Sequence, residues 1–176
     1  MRWLPYQLNP ALPPEGISRA DYILRKFGER DSSRYNRVAA VGRSVGLDLR
    51  FDRITVQPNT VNAHRLIHHA AGQGCQDAVS ESLFRAYFCE GANIADVAVL
   101  ADCAAAAGFD RAVAEAYLRS DRDADLIRSA DQEARQVGIE GVPFFIFNRS
   151  LGLSGAQDPE VLLQAMQQAV QQAPGD

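Results

Sequence analysis

The sequence predicts an α/β fold in which a long helical middle separates two short strand regions. Three observations predict it. Val142-Pro143-Phe144-Phe145-Ile146-Phe147 is a short apolar run opened by proline. Proline has no N–H, so it fits the first residue or the edge of a strand rather than its middle. Leu151-Gly152-Leu153-Ser154-Gly155 reads as a second short strand after a turn at Asn148-Arg149-Ser150. Between an N-terminal run, Arg2–Leu8, and this pair, apolar residues recur at helical rather than alternating spacing.

The 176 residues are enough for one domain with a good core. A hydrophobic content of 47% and a charged content of 23% place the chain among ordinary globular proteins. Its net charge of −4 gives no basis for a nucleic-acid partner. No apolar run reaches the length of a membrane span, and Met1–Tyr6 does not read as a signal peptide. The three cysteines, Cys75, Cys89 and Cys103, form no Cys-x-x-Cys and no close pair. An odd count without a spaced framework predicts free, mostly buried thiols in a reducing, cytoplasmic compartment.

Taken in order, Arg2–Leu8 predicts a short strand, and Asn9–Gly16 a Pro-rich loop. Residues 18–46 predict two helical pieces around Gly28, with Ser18 as cap and Arg25, Lys26, Arg30, Arg34, Arg37 and Arg43 on a solvated face. Residues 47–58 predict an extended link anchored by Leu49, Phe51 and Ile54. Asn59-Thr60 starts a helix whose apolar face is Ala63, Leu66, Ile67 and Ala70. His64 and His68 stand four apart on it, but Arg65 occupies the place where a zinc-protease helix carries Glu, so no metal site is expected. Helices follow over 77–90, 96–107, 110–120 and 121–138. Asp158-Pro159 then caps and opens a final helix, and 171–176 predicts a mobile tail.

Gly141-Val142-Pro143-Phe144-Phe145-Ile146-Phe147 followed by Leu153-Ser154-Gly155-Ala156-Gln157 resembles the C-terminal half of a DsbA-family thioredoxin-like fold. Trp3-Leu4-Pro5-Tyr6-Gln7-Leu8-Asn9-Pro10, Asn59-Thr60 with Ala63-His64-Arg65-Leu66, and Leu83-Phe84-Arg85-Ala86-Tyr87-Phe88 resemble its FrnE-like branch. That branch is related to 2-hydroxychromene-2-carboxylate isomerases and kappa-class glutathione transferases. The resemblance implies one DsbA-type domain over 1–176, with a mostly helical insert at 17–138 and the closing β-β-α of the thioredoxin core at 139–172. It also implies a cis peptide bond before Pro143. Gly141, Val142 and Pro143 become a substrate-binding corner, with Asn59 and His64 lining the cleft.

The same resemblance implies that the chain begins at the family's second strand. A strand, a Cys-x-x-Cys turn and a helix, about 25 residues at typical element lengths, would precede Met1. The fold is then N-terminally incomplete, through truncation or through a real short form that repairs its sheet by homodimerising. Thiol–disulfide exchange needs a thiolate stabilised at a helix N-terminus and a second, resolving thiol. No cysteine here is expected to start a helix beside such a partner. The first expectation is therefore a disulfide oxidoreductase body acting on protein or small thiol substrates, without cofactor and inactive as it stands. A glutathione-dependent isomerase or transferase is the alternative. It is disfavoured because Ala156-Gln157-Asp158-Pro159 stands where that branch carries an Asp-Arg pair. The third reading is a non-catalytic protein that binds extended peptides or partners.

Overall fold

The computed structural model describes residues 1–28 and 35–171, and the chain divides into two compact units, Met1–Ala130 and Asp131–Asp176. The expected basic positions Arg30 and Arg34, and the expected tail beyond Gln171, lie outside the described residues.

Unit 1 opens on an extended N-terminal segment. Arg2–Leu8 is not a strand, which corrects the sequence expectation. The main chain of Trp3 is instead paired by a side chain. Its N–H donates to Gln76 Oε1 at 3.1 Å, and its carbonyl accepts from Gln76 Nε2 at 3.2 Å. The Trp3 indole N–H donates to Asp77, and its ring meets Phe84 edge-on. One glutamine amide thus supplies the donor and the acceptor that a neighbouring strand would have offered.

Strand β1 (Ile17–Ser18) pairs antiparallel with β2 (Val56–Gln57). Helix α1 (Arg19–Phe27) follows, with Ser18 accepting from the Asp21 N–H and Gly28 closing it in the left-handed region, as the sequence predicts. Helix α2 (Asn36–Ser44) turns only small residues inward, and its Gly42 lies against Leu47 and Leu49. A Cβ on Gly42 would meet the Leu49 side chain at 2.9 Å. The expected link to Pro58 contains a 3-10 turn (Phe51–Arg53), and Ile54 is its buried anchor.

The core of unit 1 lies between α3 (Val61–Ala71), α4 (Gln76–Phe84), α5 (Val97–Ala106) and α6 (Arg111–Arg119). Leu66, Val79 and Leu100 are wholly buried there, each contributing about 1.5–3 kcal/mol relative to exposure. Asp96 caps α5 and Asp110 caps α6 through their carboxylates. After α4 the chain loosens into a π-helical turn (Arg85–Glu90), closed by Gly91 at φ +76. The Gly91 backbone presses on Arg53, where a Cβ would fall 2.6 Å from the carbonyl oxygen. Glycine is required there by conformation and by space.

Helix α7 (Ala124–Gln136) carries the chain from unit 1 into unit 2. Unit 2 continues with strand β3 (Phe144–Phe147), strand β4 (Leu151–Ser154) and helix α8 (Pro159–Gln171). The strands pair antiparallel in the register Phe144–Ser154 to Phe147–Leu151. Asn148 and Arg149 both take positive φ, and the Ser150 N–H donates to the Phe147 carbonyl at 3.1 Å. This is the mirror-image turn that matches the twist of a hairpin. Ala165 and Ala169 form the buried side of α8, and the Ala169 carbonyl accepts from Asn148 Nδ2.

Candidate functional site

The corner predicted at Gly141-Val142-Pro143 lies in unit 2, at the entrance to β3. The Val142–Pro143 peptide bond is cis. The Pro143 carbonyl accepts from the Gly155 N–H at 2.8 Å. That bond sets the phase of the ladder, because main-chain groups alternate between the two edges of an antiparallel strand. Phe145 and Phe147 therefore spend their N–H and carbonyl groups on β4, while those of Phe144 and Ile146 point to the opposite edge. Among the described residues β3 has no neighbour on that edge, since its sheet holds two strands. Val142 likewise has no main-chain hydrogen bond among the described residues. Its side chain is exposed, and the space about Gly141 is open. The corner thus presents an unpaired, apolar main-chain edge, which is the chemistry that receives an extended segment.

Asn59 and His64 lie in unit 1, where they hold the N-terminal segment. Asn59 Nδ2 donates to the Leu12 carbonyl at 2.7 Å, and its Oδ1 accepts from the N–H of Val61, the first residue of α3, at 3.0 Å. His64 Nε2 lies 3.2 Å from the Tyr6 carbonyl.

Sequence reasoning missed the residue between them and Leu66. Arg65 is 2% exposed. Its guanidinium donates to the carbonyls of Tyr117, Leu118, Ser120 and Arg122 and to Asn62 Oδ1 at 2.6–3.1 Å. These carbonyls belong to the last turn of α6 and the loop after it, where backbone acceptors lack helical partners and the helix dipole is negative. The Tyr117 hydroxyl donates to Asp123 Oδ2 at 2.8 Å. The His69 ring stacks on the other ring of this cluster, with centroids 4.1 Å from Tyr117. Burial lowers the His69 pKa, and Arg122 adds to the effect. This cluster binds α3 to α6 and is structural.

The cysteines are free, as the sequence reading expects, but only Cys103 is buried; Cys75 and Cys89 are half-buried, which corrects the expectation of mostly buried thiols. Cys75 does start a helix: it is the N-cap of α4, and its thiol faces the Ala70 carbonyl at 3.7 Å. No second cysteine is bonded to it, and all three are free thiols. Burial pushes the Cys103 thiol pKa up, which keeps it protonated and unreactive. Among the described residues no cluster of three or more His, Cys, Asp or Glu could hold a metal ion, and no helix is long and apolar enough to cross a membrane.

These features define a thioredoxin-type fold with a cis-proline corner at the entrance to β3. The chain matches the DSBA-like thioredoxin domain over residues 1–167 and belongs to that family of thiol–disulfide oxidoreductases. It is similar to a probable DsbA oxidoreductase from Streptomyces coelicolor, SCO1869, whose crystal structure superposes with a TM-score of 0.85 at 29% sequence identity. That match covers 97% of this chain and 75% of the Streptomyces chain. It is also 23% identical over 167 residues to the uncharacterized protein YwbO of Bacillus subtilis strain 168, covering 94% of this chain and 80% of that protein.

Proposed function

We propose that the chain is the substrate-holding body of a FrnE-like, DsbA-type disulfide oxidoreductase. In this reading the Gly141-Val142-Pro143 corner receives an extended segment of a protein thiol or disulfide substrate. The chain's own cysteines do not complete the exchange. Exchange requires a thiolate to attack a disulfide sulfur and a second thiol to displace the mixed disulfide. The carrying observation is the cis peptide bond at Val142–Pro143, with Val142 exposed and its main chain unbonded among the described residues, beside cysteines that never stand closer than 14 positions. The free thiols fit a reducing, cytoplasmic setting.

Two measurements test this. Disulfide reduction by the 176-residue chain should stay at the uncatalysed background. An extended, cysteine-blocked peptide should bind saturably and should bind more weakly to Val142→Pro, which lacks the Val142 N–H. Turnover that disappears in the Cys75→Ser/Cys89→Ser/Cys103→Ser protein would show that the chain's own thiols are catalytic and would overturn the inactive reading. Saturable binding of glutathione without any binding of peptide would move the assignment to the isomerase and transferase branch.

A further inference from the structure

Tyr87 is 8% exposed, and its hydroxyl has no hydrogen-bond partner among the described residues. A buried hydroxyl left unpaired costs free energy, so such a group in a folded protein calls for a reason. Tyr87 lies in the π-helical turn Arg85–Glu90, and single π-helical turns recur at functional sites. From these residues and those around them we propose that unit 1 carries a separate binding site for a small carboxylate. The carboxylate sits on the guanidinium edge of Arg19, between the rings of Tyr22 and Tyr35, and accepts from the Tyr87 hydroxyl.

Arg19, Tyr22 and Lys26 share one face of α1 at helical spacing. The Arg19 guanidinium lies over the Tyr22 ring at 5.4 Å and over the Tyr35 ring at 4.8 Å. These contacts use its faces and leave its N–H edge for hydrogen bonds. Its Nη1 donates to Gln57 Oε1. Lys26 Nζ donates to the Tyr22 hydroxyl at 3.0 Å. Among the described residues no carboxylate pairs with Arg19 or Lys26. Burial pushes the Tyr87 pKa up to about 12, against the opposing field of Arg19. Tyr87 is therefore a protonated donor at neutral pH, with Arg19, Tyr35 and Tyr22 as its titratable neighbours.

The unspent groups are thus donors and cations, in a chain whose net charge is −4. What they lack is an anionic acceptor. A carboxylate matches a planar guanidinium edge through two parallel hydrogen bonds, and the two flanking rings suit a flat apolar body behind it. The Tyr87 hydroxyl meets no solvent in the free protein. The ligand therefore enters from the guanidinium side, where Arg19, Tyr22 and Tyr35 are only half-buried. All of these residues belong to unit 1, and the site stands without the substrate reading of the Val142–Pro143 corner.

Benzoate is the probe, titrated into the full chain while the Arg19 Nε–Hε resonance is followed by NMR. A saturable shift is expected, with a Kd on the order of 1 mM or tighter, and none with benzamide, the uncharged counterpart. Inorganic phosphate should bind at least about ten-fold more weakly. Tyr87→Phe should weaken benzoate binding about ten-fold. Because that substitution breaks no hydrogen bond, it should leave the thermal midpoint of the free protein undiminished. Arg19→Gln should abolish binding, and Arg85→Gln, at an exposed arginine beside Glu81, should not alter it. The proposal is overturned if benzoate gives no saturable shift, if benzamide binds equally well, or if phosphate binds more tightly. It is also overturned if Tyr87→Phe melts lower and binds benzoate as before, since the hydroxyl would then have a structural partner. The Tyr87→Phe comparison decides the matter even if Arg19→Gln fails to fold.

Discussion

The two units differ in how their apolar residues are used. In unit 1, Leu66, Val79 and Leu100 lie fully inside, and the buried charge of Arg65 is satisfied at five acceptors. In unit 2, a Phe-rich strand has no buried residue, and Leu163, Met166 and Val170 stand exposed on α8. The first unit is stabilised by closure, while the second keeps an edge and a face open.

The largest expected effect lies in the closed unit. Arg65→Met removes the donors from four backbone carbonyls at the end of α6 and in the loop after it, those of Tyr117 and Leu118 in buried bonds. Leaving a buried acceptor unsatisfied costs about 1–3 kcal/mol, and more than one is left here. The urea midpoint of unit 1 should fall accordingly; a change below about 1 kcal/mol would mean that water satisfies those carbonyls and that unit 1 is not closed there. Gly91→Ala comes next. It combines a positive φ with a Cβ 2.5 Å from the Arg53 Cβ, so it should destabilise by about 2 kcal/mol or more, again read from the urea midpoint.

Much of this contrast was legible in the sequence, and the part that was not has physical causes. The closing β3, β4 and α8 are punctuated by Pro143, by the Asn148-Arg149 turn and by Asp158-Pro159, signals that act locally. Ser18, Gly28 and Asp96 likewise announced their helix ends. Arg2–Leu8 misled because a strand exists only with a partner, and here Gln76 takes that place. The β1–β2 ladder spans two residues on each strand, too few for any periodicity to register. The π-helical turn escaped notice because Val79, Leu83, Ala86 and Tyr87 keep a helical rhythm straight through it. Arg65 gave no signal, since its partners are main-chain carbonyls that any sequence possesses. At the candidate site, Val142 and Pro143 were found through the motif.

Acidity offers a further, smaller probe of the closed unit. His69 is stacked on Tyr117 and edge-on to Phe109, and burial lowers its pKa below the ordinary histidine value. As pH falls through about 6.5, the unfolded chain takes up this proton before the folded one does. Stability therefore declines below that pH, levels off once the folded state is protonated as well, and is unaffected above about 7.5. Unfolding midpoints from pH 8 to pH 5 should show the decline in the wild type and a flatter profile in His69→Phe. Identical profiles would place the pH sensitivity elsewhere.

The smallest expected effects belong to unit 2, and they test the comparison from its open side. A Cβ at Gly152 would lie 2.9 Å from Phe144 Cζ. In a closed core, such overpacking costs about 1–3 kcal/mol. The Phe144 ring is only half-buried and has room to swing outward, so Gly152→Ala should cost less than about 1 kcal/mol. Leu163→Gln should cost less still, within about 0.5 kcal/mol, because the side chain is already 55% exposed. The same Leu-to-polar exchange at Leu100 would bury an unpaired amide and cost several times more. Thermal midpoints of the two variants decide the point. If Leu163→Gln destabilises as a core substitution does, its face is covered in solution, and unit 2 is as closed as unit 1.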